Sequence, residues 1–296
     1  MPAIDTHQHL WDPSRFSYSW MSGEPLLNVP FMLEEYRKAA HGLDILGSVY
    51  VDTDVDGQDL AGETGMIFSL AENPENRILG IVAGAKLERE NAFAHLDKFW
   101  NHPILKGIRR VLHTQSDEIF LSRQFLSNLA RLSQYGLSFD LCVQSRQLPL
   151  ALELVKQFPE TSFILDHCGT PDIRQQALHP WKQHIQAMAA EANVVCKISG
   201  IVSYTGSDRW SVGDLQPLVD HAIDCFGWNR VLWGSDWPVC TLGCPLLRWM
   251  ELTLALTQSA TAQQRESLFL RNAERVYRLH LPSLSSSTES SNFRGN

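Results

Sequence analysis

Residues 162–200 read SFILDHCGTPDIRQQALHPWKQHIQAMAAEANVVCKISG. Two apolar runs, 162–166 and 194–198, flank an amphipathic stretch at 181–192. The runs show little polar alternation, as expected of parallel strands buried on both faces. Strand, helix, strand in this order is one step of a parallel sheet.

The same pattern extends in both directions. Strand-type runs recur at 3–7, 45–51, 78–83, 105–111, 138–143 and 230–234, making eight in all. Amphipathic stretches lie between them. Residues 147–158 place Leu150, Leu154 and Phe158 four apart, residues 120–135 align Phe125, Leu129 and Leu132, and 214–226 reads similarly. The strand ends fall at His7, Asp52, Lys86, His113, Gln144, His167, Ser199 and Asp236, at intervals of 23 to 45 residues. A closed barrel of roughly 250 residues spends about 31 per unit. The prediction is a single-domain α/β fold, a (β/α)8 TIM barrel over residues 1–281. No Gly-rich phosphate loop follows the first strand, which argues against a dinucleotide-binding sheet.

Two departures from minimal units stand out. The first loop, 10–30, is long and carries Trp11, Trp20 and three prolines, as a cover over a site would. After the eighth strand come two helices. The second, an extra C-terminal helix, opens at Thr261 with Gln264 three later, a capping-box pattern, and runs to about residue 279. Residues 282–296 are Ser-rich and read as a disordered tail.

Composition narrows the function classes. The 296-residue chain is 44% hydrophobic and 20% charged, with a net charge of −8, so a nucleic-acid partner is not expected. No apolar run approaches the roughly 18 residues of a membrane span. Met1-Pro2-Ala3-Ile4-Asp5 leads straight into a strand with no signal-peptide pattern. Cys142, Cys168, Cys196, Cys225, Cys240 and Cys244 read as free, buried thiols, so the expected compartment is cytoplasmic. Cys240 and Cys244 lack the second pair that a zinc site needs. Homo-oligomerisation is left open.

In a barrel of this kind, working residues sit at the C-terminal ends of strands. The first strand ends Asp5-Thr6-His7-Gln8-His9, and spacing by two puts both imidazoles on one side, fit to clamp a metal or a carbonyl oxygen. The sixth ends Asp166-His167-Cys168-Gly169, with a glycine to turn the chain after the histidine. Alternation sends Asp166 away from His167, toward the barrel wall or a neighbour. The eighth ends Trp233-Gly234-Ser235-Asp236-Trp237-Pro238, making Asp236 a candidate base or ligand. Asp52 and Asp54 read as loop carboxylates, and His113 is ambiguous. His41, His95, His102, His179, His184, His221 and His280 lie away from strand ends and read as structural.

Taken together, HxH at His7 and His9, DHCG from Asp166, KISG from Lys197 and WGSDWPV from Trp233 resemble the amidohydrolase superfamily. Within it, the chain resembles the sugar-lactonase branch typified by L-fuconolactonase and L-rhamnono-lactonase, over residues 4–281. The resemblance implies a hydrolase of carbohydrate metabolism that opens a small-molecule lactone, of L-fuconolactone type, to its aldonic acid. His7, His9 and His167 would polarise the carbonyl, and Asp236 would take the proton from water. It further implies either no cofactor or one divalent ion, zinc foremost, on His7, His9, Asp236 and His167. Binuclear relatives have a bridging Lys or Glu at strand four and a His at strand five. Here strand four offers Arg109 and strand five no histidine, so a binuclear centre is not expected.

Further substrate contacts are expected from Arg109, Gln144, Lys197, Tyr204, Trp237 and Trp11, with Arg110 on the opposite face of its strand. For Lys197 an ion pair with a buried Asp is the favoured reading over a substrate contact. One strong cation, Arg109, suits a neutral polyhydroxylated lactone better than a dicarboxylate. Two alternatives are a metal-dependent decarboxylase of an aromatic acid and a non-catalytic binding barrel. The first predicts a tightly held metal. The second predicts no turnover.

Overall fold

A computed structural model describes residues 1–173, 178–205 and 210–281. The tail expected at 282–296 lies outside the described residues. Eight parallel strands follow one another in sequence order: β1 (Ala3–Gln8), β2 (Ile45–Val51), β3 (Ile78–Gly84), β4 (Leu105–Val111), β5 (Ser138–Cys142), β6 (Phe163–Leu165), β7 (Val194–Ile198) and β8 (Val231–Trp233). All eight predicted runs are strands, and the barrel is the predicted one.

The ring closes between β1 and β8 through an irregular seam rather than a ladder. Thr6 Oγ1 donates to the Trp233 carbonyl at 2.6 Å, Asp236 N to His7 O at 2.8 Å and His9 N to Trp237 O at 2.8 Å. These bonds carry the first strand into the 233–237 turn, so both chain segments deliver their polar residues to one point.

Helices α1 (Leu33–Ala39), α2 (Leu60–Ala71), α3 (Arg123–Leu129), α4 (Leu148–Gln157), α5 (Leu178–Ala190), α6 (Val212–Phe226) and α7 (Leu246–Leu256) form the outer layer. Two units depart from the pattern. Between β3 and β4 the only helical turn is the 3-10 segment Ala94–Leu96. The stripe expected at 120–135 is split into two 3-10 turns around α3, with Gly136 in a left-handed conformation ending it (φ 62).

The extra C-terminal helix is also broken. Thr261 caps α8 (Ala262–Glu266) through the expected box with Gln264. A π-turn (Ser267–Arg271) then leads into α9 (Asn272–Val276). Its buried face, Leu270, Ala273 and Tyr277, joins Leu279 against Ile4, Val49, Val82, Ile164 and Leu232 from inside the barrel. Lys106, at the start of β4, donates to the Arg278 carbonyl at 3.2 Å. The segment therefore caps the N-terminal end of the barrel, opposite the end where the strand-end histidines lie. Burial of this apolar set at about 25 cal/mol per Å² holds the cap in place. No helix among the described residues is long and apolar enough to cross a membrane.

Candidate active site

At the C-terminal end of the barrel, His7, His9, His167 and Asp236 converge. His9 Nε2 lies 3.2 Å and His7 Nε2 3.6 Å from Asp236 Oδ1. The rings of His7 and His167 are 4.6 Å apart. Two left-handed residues make this possible. Asp236 (φ 58) and His167 (φ 52) leave the extended path just as their strands end, turning both side chains inward. Between them stands Gly200, where a Cβ would meet Asp236 Oδ2 at 2.3 Å and His167 Nδ1 at 2.7 Å. Any side chain there would separate the pair.

Protonation follows from the partners. His9 Nδ1 lies 2.8 Å from the Val51 carbonyl, so this nitrogen carries the hydrogen and Nε2 presents its lone pair to Asp236. Burial pushes His9 down to about 3, and lowers His7 and His167 as well, so all three imidazoles are neutral. Burial also raises Asp236 to about 6, with His167 and Arg109 opposing the rise.

A lone pair facing a carboxylate at 3.2 Å needs a cation between them, either a proton or a metal ion. Asp236 Oδ2 is buried with no hydrogen-bond partner among the described residues. His7, His9 and Asp236 each offer a ligand atom, all within 4.8 Å of one another. Neutral imidazoles and a carboxylate are the ligand chemistry of one divalent ion, and the residues fit it. His7, Asp166 and His167 form a second such group, so His167 does not share the set of the other three. Arg109 Nη1, 3.3 Å from His7 Nε2, competes for one of these nitrogens.

Beneath the histidines lies a buried ionic layer. Lys197 Nζ is 2.6 Å from Asp140 Oδ2, 3.1 Å from Asp166 Oδ1 and 3.3 Å from His7 Nδ1. Asp166 in turn reaches His7 Nδ1 at 3.4 Å and Arg109 Nη1 at 3.5 Å. Burial alone would raise Asp166, but the Lys197 charge, helped by a hydrogen bond from His7, outweighs it and holds the carboxyl well below its usual range. Asp140 is ion-paired with Lys197, but burial, with Asp166 adding to it, lifts it to about 6. This layer orients His7 from below.

Above the cluster opens a pocket. Trp11, Trp20 and Tyr204 line it with His9, His167, Asp236, Arg109, His113, Thr53 and Asp54. The first loop does reach it. Trp11 Nε1 donates to Leu27 O at 3.0 Å, and Trp20 Nε1 to Thr53 O at 2.9 Å. On the same loop Tyr18 donates to the Glu63 carboxylate at 2.7 Å, and Thr53 Oγ1 donates to it at 2.5 Å. Burial lifts Glu63 to about 7. A carboxyl with a raised folded-state pKa binds its proton more tightly folded than unfolded. Stability is therefore expected to fall as pH rises from about 4.5 to about 7, by at most ~3 kcal/mol, and to level off above. Unfolding measured across this range is expected to show a weaker decline in Glu63→Gln.

Residues 4–279 match the amidohydrolase family. The chain belongs to that family. This amidohydrolase is 29% identical to an L-fucono-1,5-lactonase of Burkholderia multivorans over 298 residues, covering 94% of this chain and 97% of the relative. It is 25% identical to a 4-sulfomuconolactone hydrolase of Rhizobium radiobacter over 241 residues, covering 80% and 75%. Among solved structures, a Burkholderia multivorans amidohydrolase with bound zinc superposes with a TM-score of 0.85 at 28% identity, over 95% of this chain and all of that one.

Several sequence expectations need correction in this amidohydrolase. Gln144 does not line the pocket. Its backbone N–H bonds Gln147, and its side-chain oxygen accepts from Arg146 at 2.9 Å, closing a turn before α4. Trp237 is wedged between Phe31 and Tyr36, with ring centroids at 5.4 and 5.3 Å, and packs rather than faces substrate. Lys197 is fully buried among acids and meets no pocket. Asp52 is no surface carboxylate: it is buried and holds Arg109 Nε at 3.5 Å. Asp166 points inward, because it sits two residues after Ile164, whose side chain joins the barrel interior, while the left-handed turn at His167 brings the histidine to the same side. Arg110, by contrast, turns away from the histidines as expected and pairs with Glu88 at 2.9 Å. All six cysteines are free, and Cys225 is half-buried.

Asp140 was missed altogether, yet a signal existed. Arg109, Asp140 and Lys197 are charges inside apolar strands, and buried charges must pair. The register places Arg109 beside Asp140 on neighbouring strands.

Proposed function

We propose that this protein hydrolyses a lactone, with a neutral sugar-derived lactone of the L-fucono type as substrate and the aldonic acid as product. The observation that carries this is Asp236: a carboxylate lifted toward neutral pH by burial, at the base of an aromatic-walled pocket, facing a histidine lone pair. An Asp in its usual range is a weak base at pH 7, and a shift toward neutrality strengthens it.

The ring lies against Trp11 and Trp20 with its carbonyl over His7, His9 and His167. Asp236 takes a proton from a water as that water's oxygen bonds to the carbonyl carbon. When the ring C–O bond breaks, Asp236 returns the proton to the leaving oxygen. Arg109, held by Asp52 and Asp166, aims a fixed positive charge at the oxygen that gains negative charge. A divalent ion on His7, His9 and Asp236 supplies Lewis acidity to the same carbonyl when bound.

Proton release from a panel of aldonolactones, L-fucono-, L-rhamnono- and D-galactono-lactone among them, tests the reading. Stereoselective hydrolysis supports it, and no turnover of any lactone by metal-replete protein overturns it. Run with chelator, the assay separates ion-assisted from ion-free hydrolysis. Zn²⁺ titrated into chelated protein is expected to saturate at one ion per chain, and His9→Ala to abolish tight binding. Unchanged affinity in that variant would remove His9 from the ligand set.

A further inference from the structure

We infer that Asp54 is the residue by which this pocket selects a hydroxylated lactone over a plain one. The inference rests on the lactonase reading and adds to it the group that reads the sugar.

Four observations support it. Asp54 lines the pocket, on a different strand end from the hydrolytic cluster. It holds a left-handed backbone (φ 52), an uncommon conformation for a residue with a side chain. Its N–H is fixed at 3.2 Å on Asp52 Oδ1, so the turn is tied to the carboxylate that holds Arg109. Its own carboxylate is anchored on one oxygen: Lys86 Nζ lies 3.2 Å and Arg110 Nη1 3.5 Å from Oδ1. No hydrogen bond among the described residues reaches Oδ2.

The surroundings decide what that second oxygen meets. Trp20 donates through Nε1 to the carbonyl of Thr53, the residue before Asp54, and Trp20 and Asp54 both line the pocket. An indole beside a fixed carboxylate offers a face to sugar C–H groups and an acceptor to sugar O–H groups. A hydroxyl donating to an ionised oxygen makes one of the stronger hydrogen bonds available. Arg109, the one Lys or Arg among the described lining residues, is committed to Asp52 and Asp166, while Lys86 and Arg110 stand outside the pocket, on Asp54 and Glu88. A lactone bearing its own carboxylate would find no uncommitted cation among the described lining residues.

The test compares L-fucono-1,5-lactone with unsubstituted δ-valerolactone. Asp54→Asn is the variant of choice, because asparagine accepts the left-handed backbone as readily as aspartate. Expected is a fall in kcat/KM on the sugar lactone of about 10- to 100-fold, carried by KM, with δ-valerolactone turnover unchanged within about twofold. Retained δ-valerolactone turnover also reports that the variant is folded. Asp54→Ala is expected to lose the same preference. Equal losses on both substrates would make Asp54 a support for Arg109 and overturn the inference, as would no loss on either. If the wild type hydrolyses no lactone, the lactonase reading falls first and this inference with it.

Discussion

Replacing Asp236 by asparagine is expected to lower kcat for lactone hydrolysis by about 10²- to 10⁴-fold, the range a positioned proton acceptor contributes. The amide matches the carboxylate in shape and tolerates the left-handed backbone, so the fold is expected to survive. What it cannot do is accept a proton. KM is expected to change little, because Trp11 and Trp20, against which the proposed ring lies, are unchanged. The wild type carries a matching signature. In metal-free protein, burial holds the Asp236 carboxyl up at about 6. The base form grows as pH rises, so kcat/KM is expected to climb through pH 6 and flatten above it. Steady-state rates of both proteins from pH 4.5 to 8.5 check this. Wild-type turnover in Asp236→Asn would remove Asp236 from the proton path.

The second large effect is on stability. Lys197→Met is expected to destabilise the barrel by ~3–5 kcal/mol, the consequence of removing one partner from a buried ionic group. The ammonium lies between Asp140 and Asp166, and all three side chains are fully buried. Methionine fills a similar volume and leaves Asp140 with no cation in contact. A carboxyl so placed folds more easily protonated, so its folded-state pKa rises above the unfolded one. The destabilisation is then smallest at low pH and grows as pH rises through that pKa. Urea unfolding at pH 5 and pH 8 reads the difference. Adding Asp140→Leu is expected to restore part of the loss, because the unpaired carboxylate is gone. A single variant that unfolds with wild-type stability at pH 8 would show that the layer is not held by charge.

Much of this was legible from the chain itself, for physical reasons that also explain the failures. Strands buried on both faces must be apolar throughout, so the eight runs were visible as runs. Strand C-termini carry polar groups in a barrel, so His7, His9, His167 and Asp236 stood out where those runs stopped. Alternation sent Asp166 toward a neighbour, and it does reach His7 and Lys197; what alternation missed is that His167 comes to the same side, because the rule of two holds only while the backbone stays extended, and His167 and Cys168 are both left-handed (φ 52 and 53). Gln144 failed for a related reason: a polar residue at a strand end can close the next turn as well as face the pocket. Lys197 could be read as a substrate donor or a buried partner from sequence, since only the packing beneath His7 tells which acids surround it. The missing helix between β3 and β4 left no trace in strand spacing, because 3-10 turns span the same gap.

The seam between the first and last strands has a consequence for how the molecule comes into being. His9 and Asp236, whose side chains meet at 3.2 Å, are 227 positions apart in the chain. Contacts of such sequence separation carry the largest loop-closure entropy and form late in folding. A partly folded chain can hold most of its parallel sheet and still lack a paired base and imidazole. Chemistry that needs this pair therefore waits on closure of the ring.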